Sequence, residues 1–419
     1  MFRQFDYDNK PVVDIVNEMI LGAISLHASD IHFDPTPDVL NVRIRVNGEL
    51  IQYAQVPASV RKNLITRIKI ISGMNITESR LPQDGAIKKL ANNVNLDLRV
   101  SSLPISDGEK IVIRILDYSM SSGGLDNLGF LPDNLEKIKK LISLPNGIIL
   151  VTGATGSGKS TTVYSILNTL NTTDRNIITV EDPVEMKIKG VNQVQVMNEI
   201  GLTFSNTLRS ILRQDPDIIM IGEIRDDETA RIAVRASITG HLVLSTIHTN
   251  NSLNTIERLL DMEIERYLLG SALSGIISQR MVKRLCPKCR VSKPTTPYEK
   301  NVFKQVLGVD VEATYHAVGC PECIHGYNGR TTLQEVLIIN QEIKDAIINN
   351  VKKEELRNLV YKKENVIRLL EDGLYKVMQG ITTFDEILRV IDVDDDLCEN
   401  DNHIKQALIG KKDEPIEQL

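Results

Sequence analysis

The sequence lacks any hydrophobic run long enough to cross a membrane. A spanning helix needs about 18 or more consecutive apolar residues, whereas runs such as 148–151 and 218–221 have the length of buried strands. The amino terminus has no basic segment followed by an apolar stretch, so it does not have the pattern of a secretory signal. We therefore expect a cytoplasmic protein without membrane insertion.

The chain also has no excess of positive charge and few cysteines. Its 49 lysines and arginines are outnumbered by 55 aspartates and glutamates, and the net charge of -6 gives no general attraction to nucleic acid or anionic lipid. Direct binding of nucleic acid is therefore not expected, although a local basic face is compatible with this composition. Four of the five cysteines form two C-x-x-C pairs, which suits a metal in a reducing compartment better than a disulfide framework, and Cys398 has no evident partner.

Length and periodicity predict several domains. A single hydrophobic core rarely extends over 419 residues. The first part combines helical patterns with alternating strands and an Asn47-Gly48 hairpin turn, whereas strands and helices alternate after residue 131, as in a parallel sheet covered by helices. The predicted parts are an N-terminal α+β domain at 1–118, a linker at 119–130, an α/β domain at 131–283, a tetracysteine lobe at 284–330, a helical subdomain at 331–393 and an acidic, mobile tail at 394–419.

A glycine-rich segment at 153–160 has the pattern of a phosphate-binding loop. The pattern alone also occurs by chance, but here a strand at 146–152 precedes it and a helical pattern follows, which is the context it requires. In such a loop, backbone N–H groups surround phosphate oxygens, Lys159 adds positive charge and Ser160 offers a hydroxyl to Mg²⁺. The predicted nucleotide-binding residues are Gly153, Ala154, Thr155, Gly156, Ser157, Gly158, Lys159, Ser160 and Thr161.

A nucleotide hydrolase also needs an acidic side chain that orients the attacking water. Glu223 follows the apolar strand 218–221, at the edge where a parallel sheet carries its ligands. It is the predicted general base or water-orienting residue, and the alternative is a solvated charge at a strand end. A second acidic cluster at 181–185 follows another apolar strand and has the position to reach the same metal ion through water.

Two histidines flank the apolar run 242–247. His241 and His248 are an odd number of residues apart, so in a straight strand their side chains point to opposite faces and do not bind one metal together. A lone histidine is more often a hydrogen-bonded polar residue than a ligand. Spacing alone therefore leaves the role of both histidines open.

The paired cysteines give a stronger metal signal. Cys286, Cys289, Cys320 and Cys323 form two knuckles that match a closed tetrahedral Zn²⁺ site, and the 30 residues between the knuckles predict a lobe pinned at its base. Within this lobe, the segment 293–297 resists regular structure. Redox chemistry and free buried thiols are the alternatives. With four thiolates and no open position, the predicted zinc is structural.

Several segments resemble, in order, the signatures of the ATPases that drive type II secretion and type IV pilus assembly. The resemblance extends from about residue 12 to residue 390. Ordered agreement of this kind is far more specific than a single motif. The matching segments are 28–33, 80–85, 153–160, 181–185, 212–217, 222–226 and 239–246.

The resemblance implies a RecA-like ATPase domain, an N-terminal α+β domain of the PAS-like type and a small zinc-binding lobe. It also implies a homo-hexamer that hydrolyses ATP at its subunit boundaries and acts on an inner-membrane platform protein to extrude pilin subunits. The residues it assigns are a Walker B acid at Glu223, an aspartate box of Glu181, Asp182 and Glu185, a histidine box of His241 and His248, and phosphate-sensing arginines at Arg99, Arg209 and Arg213.

Two departures from the family pattern qualify these expectations. Ala86 stands where the family usually has an arginine that reaches the nucleotide, so one cationic contact is missing or displaced. Arg80 or Lys88 are candidates to replace it, and slow turnover is the other expectation. The chain also begins near the nucleotide-proximal domain, without the leading module that many secretion ATPases use for docking, so we expect such docking to be absent or supplied by another chain.

The sequence therefore predicts a hexameric ATPase motor that uses ATP, Mg²⁺ and a structural Zn²⁺ and drives assembly of a type IV pilus or a type II pseudopilus. Partner proteins would hold it at the inner face of the membrane. Retraction ATPases usually lack the tetracysteine lobe, so extension is favoured over retraction. The alternatives are a retraction or DNA-uptake motor of the same superfamily, or a weakly hydrolysing nucleotide-binding scaffold, which Ala86 keeps open.

Overall fold

The computed structural model describes residues 2–90, 94–116, 124–364 and 366–391. The chain divides into two compact units, Met1–Asp117 and Tyr118–Leu419. Within the described ranges, no helix is both long and apolar enough to cross a membrane. Cys398, the predicted tail and part of the predicted linker fall outside these ranges.

The first unit contains an antiparallel sheet that packs against α2, and α1 packs against α2. Asn47 and Gly48 form the turn between β2 and β3 with φ values of 52° and 89°, the positive values that this two-residue turn requires. The strand order among the described residues is β3-β2-β1-β6-β5-β4. The elements are α1 (Val12–Ser25), β1 (Asp30–Pro35), β2 (Val39–Val46), β3 (Glu49–Pro57), α2 (Ala58–Ile71), β4 (Gln83–Leu90), β5 (Val94–Ile105) and β6 (Gly108–Ile115).

The two faces of this first sheet differ in polarity. Phe33 and Ile44 are fully buried, which fits the alternation of buried and half-buried residues along β2. On the other face, Asp30 lies opposite Arg45 on β2 and opposite Arg114 on β6. The Asp30 carboxylate is 3.1 Å from the Arg114 guanidinium and 3.7 Å from that of Arg45. On this polar face, Asp30 therefore lies between two arginines of the neighbouring strands.

The second unit contains the predicted sheet of mainly parallel strands. In the described part of the chain the strand order is β15-β12-β7-β11-β10-β8-β9, and the pairing is parallel except between β12 and β15. Alternate residues of β7 enter different core clusters, so the sheet is buried on both faces. The strands are β7 (Gly147–Thr152), β8 (Ile177–Glu181), β9 (Asn192–Gln195), β10 (Ile218–Ile221), β11 (Leu242–Ile247), β12 (Leu273–Leu285) and β15 (Tyr327–Ile338).

Helices accompany this sheet, and several begin at capping side chains. Thr203, Asp226 and Asn251 each accept a hydrogen bond from a backbone N–H of the first turn, which explains why these helices begin where they do. The helices are α3 (Pro132–Ile142), α4 (Lys159–Leu170), α5 (Phe204–Ile211), α6 (Asp227–Ile238), α7 (Ser252–Asp261) and α8 (Arg266–Ala272), with 3₁₀ turns at Leu125–Asn127 and Asn198–Ile200.

The segment between the cysteine pairs is a small lobe with regular structure of its own. It contains β13 (Val291–Pro294), α9 (Pro297–Leu307) and β14 (Ala313–His316), and β13 pairs antiparallel with β14. Thr296 and Glu299 form a reciprocal capping box at the start of α9. The expectation that 293–297 resists regular structure is therefore wrong except at Thr295 and Thr296, because Pro294 ends a short strand and Pro297 occupies a first-turn position that tolerates proline.

Four further helices follow β15 in the described chain, and the last two of them pack against β12 and β15. The four helices are α10 (Gln341–Ile348), α11 (Lys353–Asn358), α12 (Leu369–Met378) and α13 (Phe384–Val390), with a π-helical turn at Leu359–Lys363. A buried ion pair joins α12 to β15. The Lys376 ammonium is 2.7 Å from the Asp372 carboxylate and also donates to the backbone oxygen of Thr332, while Asp372 accepts from the backbone N–H of Gln334.

Candidate functional site

The glycine-rich loop 153–158 connects β7 to α4, as the sequence predicts. Gly153, Gly156 and Gly158 have positive φ values of 149°, 77° and 90°. At Gly153 an added Cβ atom would lie 2.3 Å from the backbone oxygen of Gln279, so glycine is required for space as well as for conformation. The predicted nucleotide-binding residues that are exposed, and thus open to a ligand, are Ala154, Thr155, Gly156 and Ser160.

Lys159 is the first residue of α4 and is buried. Its Nζ donates to the backbone oxygens of Gly153 at 2.8 Å and Ala154 at 3.1 Å, so the ammonium group folds over the loop. Burial lowers the pKa of Lys159 to about 8, and the negative charge of Glu223 opposes this shift. The two neutral carbonyls are partners that phosphate oxygens can replace, because anionic acceptors bind an ammonium group more strongly.

Glu223 follows β10 by two residues and lies at the carboxyl edge of the sheet. Its side chain is 18% exposed, accepts a hydrogen bond from Arg225 and is 3.6 Å from Nε2 of His248. The hydrogen bond from Arg225 is the main cause that lowers the pKa of Glu223, and the charge of Lys159 lowers it further. The structure thus brings Glu223, His248 and Lys159 together in one electrostatic environment.

The two histidines lie at opposite ends of β11. His248 follows the last residue of β11, which pairs with Thr152 at the end of β7 beside the loop. His241 precedes the first residue of β11, and its Nδ1 is 2.9 Å from the backbone oxygen of Ala236. The seven-residue step between them corresponds to about 23 Å of extended chain. Only His248 is therefore close to the phosphate-binding loop of its own chain.

Glu181 at the end of β8 is buried rather than open to a ligand. Its carboxylate accepts hydrogen bonds from the hydroxyls of Tyr164 and Thr179 and from the side-chain amide of Gln193 at 3.1 Å. Burial first, and then the hydrogen bond to Glu181, raise the pKa of Tyr164, which keeps its hydroxyl protonated and donating. The carboxylate therefore ties β8 to α4, the helix that follows the loop.

The remaining acids of the predicted aspartate box follow Glu181 directly. Asp182 is exposed, and its negative charge acts on Arg225, the residue that holds Glu223. Glu185 is half-buried, and its backbone N–H donates to the Tyr164 hydroxyl at 3.2 Å. Asp182 is therefore the most exposed of the three acids in this cluster.

The predicted arginines of the second unit lie at α5. Arg209 is exposed and donates to Glu228 on α6 at 2.6 Å. Arg213 follows α5 and donates to the backbone oxygen of Arg209 at 2.8 Å and to the hydroxyl of Ser210 at 3.2 Å. Both guanidinium groups are thus on the surface of the unit, held by neighbouring helical residues.

Arg99 lies in the first unit, on the polar face of its sheet. It is the cross-strand partner of Ala86 on one side and of Arg114 on the other. Directly opposite residues of an antiparallel pair have Cβ atoms about 5 Å apart, so a cation stands beside the position where the family arginine is missing. Of the two other candidates, Arg80 pairs with Glu78 at 3.0 Å and Lys88 is exposed.

The four paired cysteines converge at the ends of β12 and β15. Their Sγ atoms all lie within 4.8 Å of one another, and the shorter separations are 3.6 Å for Cys289 to Cys323 and for Cys320 to Cys323, and 3.9 Å for Cys286 to Cys320. Zinc–sulfur bonds of about 2.3 Å in a tetrahedron place the sulfurs about 3.8 Å apart. The donor set and its spacing therefore fit one Zn²⁺ ion.

The sequence profile of the Type II/IV secretion system protein family matches residues 6–389. The chain belongs to this family. It is 47% identical over 382 residues to the type II secretion system protein E of Xanthomonas campestris pv. campestris, an alignment that covers 91% of this chain and 67% of that relative. It is 43% identical over 385 residues to the type IV pilus assembly ATPase PilB of Thermus thermophilus, which covers 91% of this chain and 43% of that relative.

A solved structure agrees with the family assignment. The structure of the pilus retraction motor PilT with bound ADP matches with a TM-score of 0.62 and 27% identity, covering 90% of this chain and 98% of that one. Family membership and the complete phosphate-binding loop make this secretion-family chain an ATP hydrolase, so the predicted family and enzyme class are confirmed. The predicted domain boundaries, the PAS-like type of the first domain and the individual roles of the site residues stay predictions.

Sequence reasoning on this secretion-family ATPase missed two residues that hold the predicted acids. Arg225 donates to Glu223, and Tyr164 donates to Glu181. Arg225 is only two residues from Glu223, so its position in the sequence could have indicated this contact. Tyr164 is on α4 and meets Glu181 only when the helix packs on β8, so no local pattern indicates this contact.

Replacing Tyr164 with phenylalanine tests the buried network around Glu181. We expect Tyr164→Phe to destabilise the protein by about 1.5–3 kcal/mol, because it removes a hydrogen bond to a buried carboxylate. Urea unfolding followed by circular dichroism measures the change. Tyr267→Phe, at an exposed tyrosine on α8, is the matched control and should leave the unfolding midpoint unchanged. Equal midpoints for the two variants would contradict the role given to Tyr164.

A second buried acid supports the chain segment that follows His248. Glu335 on β15 accepts hydrogen bonds from the backbone N–H of Ser252, the first residue of α7, at 3.0 Å and from the Tyr361 hydroxyl at 3.2 Å. Burial raises the pKa of Glu335, so the folded protein holds this proton more tightly than the unfolded chain does. The stability that the protonated carboxyl contributes is full below its unfolded pKa near 4.5 and is lost as pH rises through the raised value.

The variant Glu335→Gln is neutral at every pH and should avoid this loss. We expect the free energy of unfolding of the variant to increase relative to that of the wild type as pH rises from about 5 to about 8. Urea unfolding across this range measures the difference. Glu257→Gln, at a half-exposed carboxylate on α7, is the control. Curves of wild type and Glu335→Gln that run parallel would show that Glu335 does not titrate in this range.

Proposed function

We propose that this chain is the hexameric motor of a pilus-type machine and that it hydrolyses ATP to assemble a type IV pilus or a type II secretion pseudopilus. The observation that carries the proposal is the set of groups at the carboxyl edge of the second sheet. It combines the phosphate-binding loop, Lys159 and Glu223. The names of the relatives, a type II secretion protein and a pilus assembly ATPase, support the choice of machine.

In the proposed reaction, the loop binds the phosphates of ATP and Glu223 acts on the attacking water. Lys159 would exchange its two carbonyl partners for phosphate oxygens, and Ser160 would offer a hydroxyl to Mg²⁺. Glu223 carries a lowered pKa and stays anionic, so it orients and polarises water more readily than it removes a proton. His248, 3.6 Å from Glu223, is placed to restrict where that carboxylate points.

The other predicted residues have different roles in the proposal. Asp182 is open to a metal-bound water, whereas Glu181 and Glu185 act through the position of α4. Arg209 and Arg213 are surface cations suited to the γ-phosphate of a neighbouring subunit in the proposed hexamer, and Arg99 is proposed for the same task from the first unit. His241 lies at the amino end of β11, whereas the loop is at the carboxyl end. Any catalytic role of His241 would therefore be in a site other than the loop of its own chain.

The tetracysteine site, which we propose holds a structural Zn²⁺, favours assembly over retraction within this proposal. Four thiolates leave no open coordination position, so the ion would hold the lobe together without entering the reaction. We further propose that the chain works in the cytoplasm and that its partner is a platform protein of the inner membrane. No direct contact with nucleic acid is part of the proposal.

Phosphate release and a cellular phenotype together test the proposal. The purified chain should release phosphate from ATP only with Mg²⁺, and Lys159→Ala should lower the rate at least about a hundredfold. Deletion of the gene should remove surface pili or the secreted substrate, with restoration by the wild type and not by Lys159→Ala. Excess, non-retracting pili would identify a retraction motor instead. Absence of Mg²⁺-dependent release from the wild type would leave a nucleotide-binding scaffold.

A further inference from the structure

Gln279 on β12 contacts the phosphate-binding loop from the neighbouring strand. β12 pairs with β7 in parallel, and Gln279 is completely buried. Its Nε2 donates to the backbone oxygen of Ser157 at 2.7 Å, and its Oε1 accepts from the Thr162 hydroxyl at 2.9 Å. One side chain thus joins the loop and the helix that follows it to the sheet.

The loop is also closely fitted to the backbone of this residue. A Cβ atom on Gly153 would lie 2.3 Å from the Gln279 backbone oxygen, and one on Gly158 would lie 3.1 Å from Nε2. The first and last glycines of the loop therefore both face Gln279. The side chain of Gln279 therefore hydrogen-bonds to the loop at Ser157 and to α4 at Thr162.

The hydrogen bond to Ser157 has a direct consequence for the next amide. In a trans peptide the C=O and N–H groups point in opposite directions, so holding the Ser157 oxygen toward Gln279 turns the Gly158 N–H away from it. Amides of such a loop bind phosphate through their N–H groups, and a rotated peptide would present an oxygen in their place. The side-chain amide of Gln279 is the donor that opposes this rotation.

We propose that Gln279 is a positioning residue that fixes the Ser157–Gly158 peptide in its phosphate-binding orientation. The inference rests on the proposed ATPase function and adds a determinant of nucleotide affinity outside the loop. It assigns to the Thr162 hydroxyl only the task of holding the Gln279 amide in the correct orientation. The contact with Ser157 carries the effect on the nucleotide.

Three variants separate these contacts. Gln279→Met removes both hydrogen bonds at similar volume, Gln279→Leu removes both with a different apolar side chain, and Thr162→Val removes only the Thr162 bond. The probe is ADP carrying a fluorescent group, titrated without turnover. We expect Gln279→Met and Gln279→Leu to weaken ADP binding about tenfold, the effect of one typical hydrogen bond. Thr162→Val should stay within about threefold of the wild type.

The split between kinetic constants provides a second readout. The KM for ATP should rise in both Gln279 variants by about the factor found for ADP, while a purely structural role would lower the folded fraction and leave KM unchanged. Urea unfolding of each variant reports that fraction, and if Gln279→Met does not fold, Gln279→Leu decides by the same criterion, with Thr162→Val as the control. Folded Gln279 variants that bind ADP as the wild type does would overturn the inference, whereas a wild type that binds ADP without hydrolysing ATP would overturn only the proposed function.

Discussion

Replacing Glu223 with glutamine is expected to lower phosphate release from ATP by about 10²–10⁴-fold while ATP binding persists. Glutamine has the same shape as glutamate, so it preserves the fit at the carboxyl edge of the sheet. It lacks the negative charge that polarises water, and this charge is present in the wild type because the hydrogen bond from Arg225 lowers the pKa of Glu223. The loop and Lys159, which bind the phosphates in our proposal, are untouched.

The measurement pairs a phosphate-release assay with nucleotide titration. Glu263→Gln is the control, because Glu263 is an exposed carboxylate that pairs with Arg231 at 2.9 Å. It should hydrolyse ATP at the wild-type rate. Release by Glu223→Gln at a rate close to that of the control would show that another group acts on the water. Loss of ATP binding together with hydrolysis would show instead that Glu223 supports the nucleotide and not the reaction.

The second large effect is expected at the cysteine cluster. Replacing Cys286 and Cys320 together with serine should reduce bound zinc from about one ion per chain to nearly none, because two thiolates do not complete a tetrahedral site. Cys286 directly follows β12, and Cys323 lies four residues before β15. The proposed zinc would therefore clamp the ends of two long paired strands, and its loss should lower the thermal unfolding temperature as well as the metal content.

Metal analysis of freshly prepared, reduced protein and a thermal unfolding scan measure the two effects. The fifth cysteine provides the control, because it has no predicted partner and lies outside the described residues. Cys398→Ser should retain full zinc and the wild-type unfolding temperature. A double variant that keeps its zinc, or a wild type that contains none, would contradict the proposed metal centre. A double variant that loses zinc at unchanged stability would contradict the clamp.

Local features of this protein were predictable because their physical causes are local. The phosphate-binding loop requires glycines, a lysine and a flanking strand and helix within one short segment, and each is present in the sequence as in the structure. The same holds for the Asn47-Gly48 turn and for Glu223 at the end of a parallel strand. The cysteine pairs were readable because each knuckle is four residues long, and folding only had to bring two knuckles together.

Tertiary packing decided which polar residues face the site and which support it from behind. Glu181 ends one apolar strand, and Glu223 follows another by two residues. The carboxylate of Glu181 is nevertheless enclosed by hydrogen bonds from Tyr164, Thr179 and Gln193. His241 and His248 flank one strand, and the direction of that strand in the sheet places only His248 beside the loop.

Nucleotide binding and the cluster of thiols were predictable without a fold, because both depend on residue types at short spacings. The role of Gln279 was not, because this residue is more than 100 residues from the loop it contacts. Such contacts depend on the order of strands in the sheet and on the burial that removes competing water. Both are properties of the folded chain.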